Sequence, residues 1–89
     1  MRITAEMSLY PLADEYKPTI IAFIKELRSI DGLEIVTNQL STQLRGEFDV
    51  VTSGINQCLK HSLEQFGKQI LVVKYLGADL DIASAPEID

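Results

Sequence analysis

Polar and apolar residues alternate from the start of the chain, where Ile3, Ala5, Met7 and Leu9 interleave with Thr4, Glu6, Ser8 and Tyr10. That is the period of a strand with one buried face. Pro11, which has no N–H to give a ladder, is expected to end it. The period then lengthens, with Ile20, Phe23, Ile24, Leu27 and Ile30 recurring at helical spacing. Asp14 is the predicted N-cap of this helix, Pro18 occupies a tolerated first-turn position and Gly32 closes it. Two short strands follow: Leu33-Glu34-Ile35-Val36-Thr37 and a second around residues 41–45. They are predicted to form a hairpin through the polar connection near Asn38 and Gln39. Asp49 is expected to cap a second helix with the apolar stripe Val51, Ile55, Leu59, Leu63 and Phe66, Cys58 beside it and Gly67 at its end. A last strand spans residues 70–76.

The order strand, helix, strand, strand, helix, strand predicts an α+β, ferredoxin-like βαββαβ two-layer sandwich, with two helices on one face of an antiparallel sheet. With 89 residues the chain supports one domain, assigned to residues 1–77. Residues 78–89 have no helical period and are expected to form a frayed acidic tail; an edge strand built on Leu80 and Ile82 that reaches a neighbouring subunit is the sharper alternative. Ile70, Leu71, Val72 and Val73 put bulky side chains on both faces of the last strand. The side opposite the helices should therefore also be covered, so a homodimer or homotetramer is expected.

Charge narrows the partners. The net charge of −5 speaks against nucleic acid, whose phosphates need clustered Lys and Arg, and suits a neutral or cationic small molecule. An RNA-recognition domain would also need aromatic residues on its central strands. Residues 1–12 lack the continuous apolar run of a secretory signal or membrane helix, so no membrane insertion and a cytoplasmic location are expected. Cys58 is the single cysteine, in keeping with a reducing compartment. It stands three residues before His61 on one helix, but it shares the apolar stripe and is assigned to core packing. No Cys-x-x-Cys, phosphate-cradling glycine loop or Ser-His-Asp set is visible, and no metal, cofactor or enzymatic reaction is expected.

Polar chemistry is densest at residues 41–49, Ser-Thr-Gln-Leu-Arg-Gly-Glu-Phe-Asp. The stretch is expected to end a strand, turn on Gly46 and open a helix, where free backbone N–H groups gather. Asp49 also has an ordinary role as a cap, Glu47 as a partner of the helix dipole, and Thr37 and Thr42 as strand residues.

Ser8-Leu9-Tyr10-Pro11 at the end of the first strand, Asp14-Glu15 before a helix, and Ser41-Thr42-Gln43-Leu44-Arg45-Gly46 before the second helix together resemble the YkoF family and the related single-domain thiamine-binding proteins. The likeness spans about residues 3–76. It implies a ferredoxin-like fold that binds thiamin or its hydroxymethylpyrimidine half without metal or catalysis, as a carrier, a buffer or a helper of uptake. A thiamin transporter or pathway enzyme is the implied partner. YkoF carries two such repeats, whereas this chain has one, so two subunits would have to associate to imitate it. The ligand residues implied are Ser8, Asn38, Ser41 and Thr42 for the pyrimidine edge, Tyr10 for stacking or for a cationic thiazolium, and Glu47 for acidity. Gly46 is assigned to the turn, and Arg45 to an ion pair or a phosphate contact. Two other functions suit the same architecture: an amino-acid-sensing regulatory domain and a small dimeric enzyme.

Overall fold

The computed structural model describes residues 1–88; Asp89, the last residue of the predicted tail, lies outside the described residues. The elements are β1 (Arg2–Pro11), α1 (Lys17–Arg28), β2 (Glu34–Thr37), β3 (Thr42–Glu47), α2 (Phe48–Phe66) and β4 (Gln69–Leu76). The strands form one sheet in the order β2-β3-β1-β4. Every neighbouring pair is antiparallel. This is the ferredoxin-like sandwich that the period changes predict.

β1 is an inner strand and carries the core. Ile3, Ala5 and Met7 are buried with Leu44 of β3, and Phe23 and Leu27 of α1 and Val51, Ile55 and Cys58 of α2 close over them. Leu9, Leu71 and Val73 extend that face. The buried stripe of α2 is Val51, Gly54, Ile55, Cys58 and Ser62, while Leu63 is 42% exposed. Leu59 packs against the core as expected, whereas Leu63 falls outside the buried stripe and is corrected. Successive steps of four drift around a 3.6-residue helix, so burial passes from Ile55 to Cys58 and Ser62.

The junction at residues 41–49 differs from expectation. β3 runs through Arg45 and Gly46 to Glu47, Gly46 pairs with Ile3, and α2 begins at the next residue, Phe48. Gly46 makes no turn; it lies in the strand because the loop after α1 crosses directly above it. A Cβ on Gly46 would sit 2.7 Å from the Gly32 carbonyl oxygen. Gly32 itself takes φ +89, the left-handed region that glycine enters freely, and so redirects the chain from α1 into β2. Asp49 is in the first turn of α2 and Glu47 is the N-cap residue, with no side-chain cap bond. The Glu47 carboxylate instead takes the Met1 ammonium at 3.3 Å. α1 likewise starts later than predicted, with Tyr16 at the N-cap and Pro18 in the first turn, and ends at Arg28.

Residues 78–80 are held against the protein's own sheet, where fraying was expected. Thr4 Oγ1 donates to the Ala78 carbonyl (2.8 Å) and accepts from the Leu80 N–H (2.9 Å). Arg45 donates to the Leu80 carbonyl at 2.6 Å, and Arg2 Nε donates to Asp79 at 2.8 Å. Thr4 alternates with Ile3 and Ala5, so it faces away from the helices, yet it is only 6% exposed because this segment covers it. Beyond the covered end, the same sheet face exposes Tyr10, Ile70 and Val72, and Leu76 is 47% exposed beside Thr4.

The crossing at Gly46 yields a stability test. Gly46→Ala drives a methyl group into a backbone carbonyl and is expected to cost about 1–3 kcal/mol in urea unfolding. Gly77→Ala, where nothing lies within 4 Å, should change stability by less than about 0.5 kcal/mol. Equal stabilities for the two variants would contradict the close approach.

Candidate functional site

A cleft of about 500 Å³ opens between α1 and one end of the sheet. Its walls come from three places: the end of β1 from Met7 to Pro11, the α1 side chains Tyr16, Ile20, Phe23 and Ile24, and the β2–β3 connection from Thr37 to Thr42. The size suits a small organic ligand. Met7 and Phe23 are core residues, exposed by 2% and 4%, so the floor is the edge of the hydrophobic core itself. Strand pairing builds this end. Met7 lies opposite Thr42 and Thr37 opposite Thr42, so the turn that joins β2 to β3 stands beside Ser8 and Tyr10.

Polar groups gather along the hairpin rim. Asn38 organises the turn: its Oδ1 accepts from the N–H groups of Leu40 (2.9 Å) and Ser41 (3.1 Å), and its own N–H donates to the Ser41 carbonyl (3.0 Å). With Oδ1 committed to the loop, the Asn38 side chain has its amide NH₂ to offer a ligand. The Thr37 and Thr42 hydroxyls lie 3.2 Å apart on the helix-facing side. Whichever donates to the other, the pair keeps one O–H proton and spare lone pairs, and so can both donate and accept. Ser8 Oγ donates to the Leu40 carbonyl (3.3 Å) and Ser41 Oγ to Glu6 (3.0 Å). Those two hydroxyl protons brace the rim.

Of the six residues predicted for ligand contact, Ser8, Tyr10, Asn38, Ser41 and Thr42 border this one cleft. Ser8 and Tyr10 alternate with the floor residues Met7 and Leu9, so they border it from the opposite sheet face. Glu47 does not join them. It pairs with Arg2 at the far end of β3, five strand steps from Thr42, or about 17 Å at the usual rise per residue. The physical reason is the unbroken strand through Gly46, which sends the two ends of the 41–49 cluster to opposite ends of the sheet.

Arg45 also lies away from the cleft. It pairs with Glu34 and approaches Asp79 at 3.7 Å. Its hydrogen bond to Glu34, with the nearby Asp79 and Asp81 carboxylates, raises its pKa further above the ordinary arginine value. Sequence pattern missed Tyr16, Ile20 and Ile24 as site residues, since helical period reads them as packing positions. Tyr16, an aromatic residue directly after the acidic pair Asp14-Glu15, was the available signal.

A second polar group joins the helices. Glu26 of α1 lies 2.6 Å from His61 Nδ1 and accepts from Gln57 Nε2 at 3.2 Å on α2. Cys58 is fully buried beside them. Burial first, and the Glu26 carboxylate second, push its thiol up to about 12. A thiol held protonated is not a nucleophile, in agreement with its assignment to packing. Among the described residues no three His, Cys, Asp or Glu side chains gather as a metal site, and no helix is long and apolar enough to cross a membrane.

The fold and cleft define a ferredoxin-like α+β domain with a ligand-sized opening between α1 and the sheet end. Similar architectures recur among solved structures. A Thermotoga maritima protein provisionally named for thiamine biosynthesis or salvage superposes with a TM-score of 0.80 at 13% identity, over 92% of this chain and 91% of that one. Streptococcus pneumoniae protein SP2199 gives 0.79 at 21% identity, over 94% and 92%. A Bacillus cereus domain of unknown function, DUF77, gives 0.75 at 16%, over 92% and 84%. No protein-family model and no curated protein sequence matches the chain.

Cys58 supplies a pH prediction. Its native pKa of about 12 stands above the ordinary 9.0, so the unfolded thiol ionises first. The contribution of this group to stability is complete below pH 9 and falls as pH rises from about 9 towards 12. Cys58→Ala should flatten that part of the stability profile. Iodoacetamide at pH 8 should label the denatured chain and spare the native one; rapid native labelling would contradict the burial.

Proposed function

We propose that this protein binds thiamin, or its hydroxymethylpyrimidine half, reversibly and non-covalently in the cleft beside α1. One observation carries the reading. Two of the three segments on which the resemblance rests, Ser8-Leu9-Tyr10-Pro11 and the start of Ser41-Thr42-Gln43-Leu44-Arg45-Gly46, border the same cleft although they stand some thirty residues apart in sequence. An apolar floor takes the face of an aromatic ring, while the Thr37/Thr42 hydroxyls and the Asn38 amide offer donors and acceptors to its edge. An aminopyrimidine edge, with ring nitrogens beside an exocyclic amine, needs that mixture. The Thermotoga neighbour, provisionally named for thiamine biosynthesis or salvage, points the same way.

The protein would serve as a carrier, a buffer or a helper of uptake in the cytoplasm, delivering its ligand to a transporter or pathway enzyme and catalysing no reaction itself. Homodimers or homotetramers would cover the exposed Ile70, Val72 and Leu76. The amino-acid-sensing alternative is less well served, because no charged residue lines the cleft to meet an ammonium or a carboxylate. A dimeric enzyme would need a base to activate a cleft hydroxyl, and among the described residues no histidine, carboxylate or lysine lines the cleft.

Thermal unfolding with thiamin, hydroxymethylpyrimidine and a panel of amino acids tests the proposal. At a hundredfold excess over Kd, a one-site ligand adds about 2.7 kcal/mol, which raises the Tm of so small a domain by roughly 10 °C or more. No shift with thiamin or the pyrimidine would end the proposal. A shift with an amino acid alone would favour the sensor. Thr42→Val should weaken binding by about 1–3 kcal/mol in a folded protein, through lost hydrogen bonds, and Ser41→Ala should add to the loss by freeing the rim from Glu6. Light scattering at micromolar concentration should report an oligomer, and a monomer would remove that part of the reading.

A further inference from the structure

We infer that the cleft takes the unphosphorylated form of its ligand and discriminates against phosphate esters; the inference rests on the thiamin-binding reading and adds the charge class of the ligand. Its basis is the placement of the basic residues. The chain has 8 Lys and Arg, and none lines the cleft. Arg2 and Arg45 are at the opposite end of the sheet, bound to Asp79 and Glu34. Lys74 lies on the sheet near Glu6, at 3.5 Å. Lys25 and Arg28 are in the last turn of α1, away from the end that the cleft adjoins.

The surroundings add carboxylates where a phosphate would need cations. Glu6 stands one hydrogen bond behind the rim, holding Ser41 Oγ at 3.0 Å. Asp14 and Glu15 precede Tyr16 at the mouth and Lys17 follows it; Lys68 stands at the same end of the sheet, its carbonyl accepting from the Leu12 N–H, but it does not line the cleft. The N-terminal turn of α1 has one donor fewer than usual, since Pro18 supplies no N–H there. Phosphate recognition depends on charge-assisted hydrogen bonds from Arg, Lys or a run of free backbone donors. A net charge of −5 opposes a polyanion at longer range as well. The mouth instead presents the half-exposed Tyr16, whose ring face tolerates a neutral hydroxyethyl arm or attracts a thiazolium cation.

Calorimetric titration of the intact protein with hydroxymethylpyrimidine, thiamin, thiamin monophosphate and thiamin diphosphate tests the inference. Binding of thiamin or the pyrimidine with the diphosphate about tenfold weaker or more is the expected result. Equal or tighter binding of the phosphorylated forms would overturn the charge selection and leave the thiamin-binding reading standing. Failure of all four to bind would overturn that reading, and the selection with it. Leu40→Lys, at a rim position 89% exposed, checks the cause. It should raise the diphosphate-to-thiamin affinity ratio severalfold, and an unchanged ratio would show that charge does not set the preference.

Discussion

The register of β1 against β3 is the constraint on which the rest of this structure depends. With Ala5 opposite Leu44 and Met7 opposite Thr42, the apolar side chains of both strands fall on the helix-facing side. A slip of one residue would turn Ile3, Ala5 and Met7 towards solvent and Thr4, Glu6 and Ser8 into the core, which no hydrogen-bonding arrangement there would repay. The same register carries the β2–β3 turn to the end of β1. The cleft is therefore not an addition to the fold; it lies where the correctly paired sheet ends against α1.

How much of this was legible in the sequence depended on which kind of signal each part carries. Alternation in β1 and helical spacing in α1 and α2 report burial, and burial is what folds the chain, so those elements and their order were readable. Gly46 shows the limit. A glycine before a helix suggests a turn, but here it answers to a contact with Gly32, fourteen residues away in sequence, that only the folded chain creates. Placing a turn there kept Glu47 beside Ser41, when a straight strand separates them. The cleft was half legible for a related reason. Its strand and loop residues carry polar groups that stand out, whereas Ile20 and Ile24 contribute apolar wall and look like any other helix-packing positions.

Residues 78–80 illustrate a second kind of information that local pattern does not hold. The segment has neither helical nor strand period, yet three side chains on the sheet hold it: Thr4 takes its backbone in two hydrogen bonds, and Arg2 and Arg45 take Asp79. Each ion pair is partly exposed and contributes little alone. Their effect is positional, since they cover one end of the outer sheet face and leave the apolar residues of the other end open. Asp81 continues the trend: a hydrogen bond from Ser84, then the Ala83 N–H at 3.1 Å, favour its charged form and lower its pKa.

Charge is thus segregated along the sheet. The Met1 ammonium, Arg2 and Arg45 neutralise Glu47, Asp79 and Glu34 at one end, and the other end keeps hydroxyls, amides and tyrosines around an apolar floor. This division has an energetic consequence for a domain of this size. Met7 and Phe23 belong both to the core and to the cleft floor, and a ring laid there removes from water the half-buried Leu9, Ile20 and Ile24 beside the same cluster that stabilises the fold. Any molecule that binds only the folded chain also raises its apparent stability by mass action. Because the core is small, that gain is a large fraction of the total. Recognition and stability therefore draw on the same side chains, and neutral polar groups around such a floor can orient a ligand without the cost of burying a charge beside it.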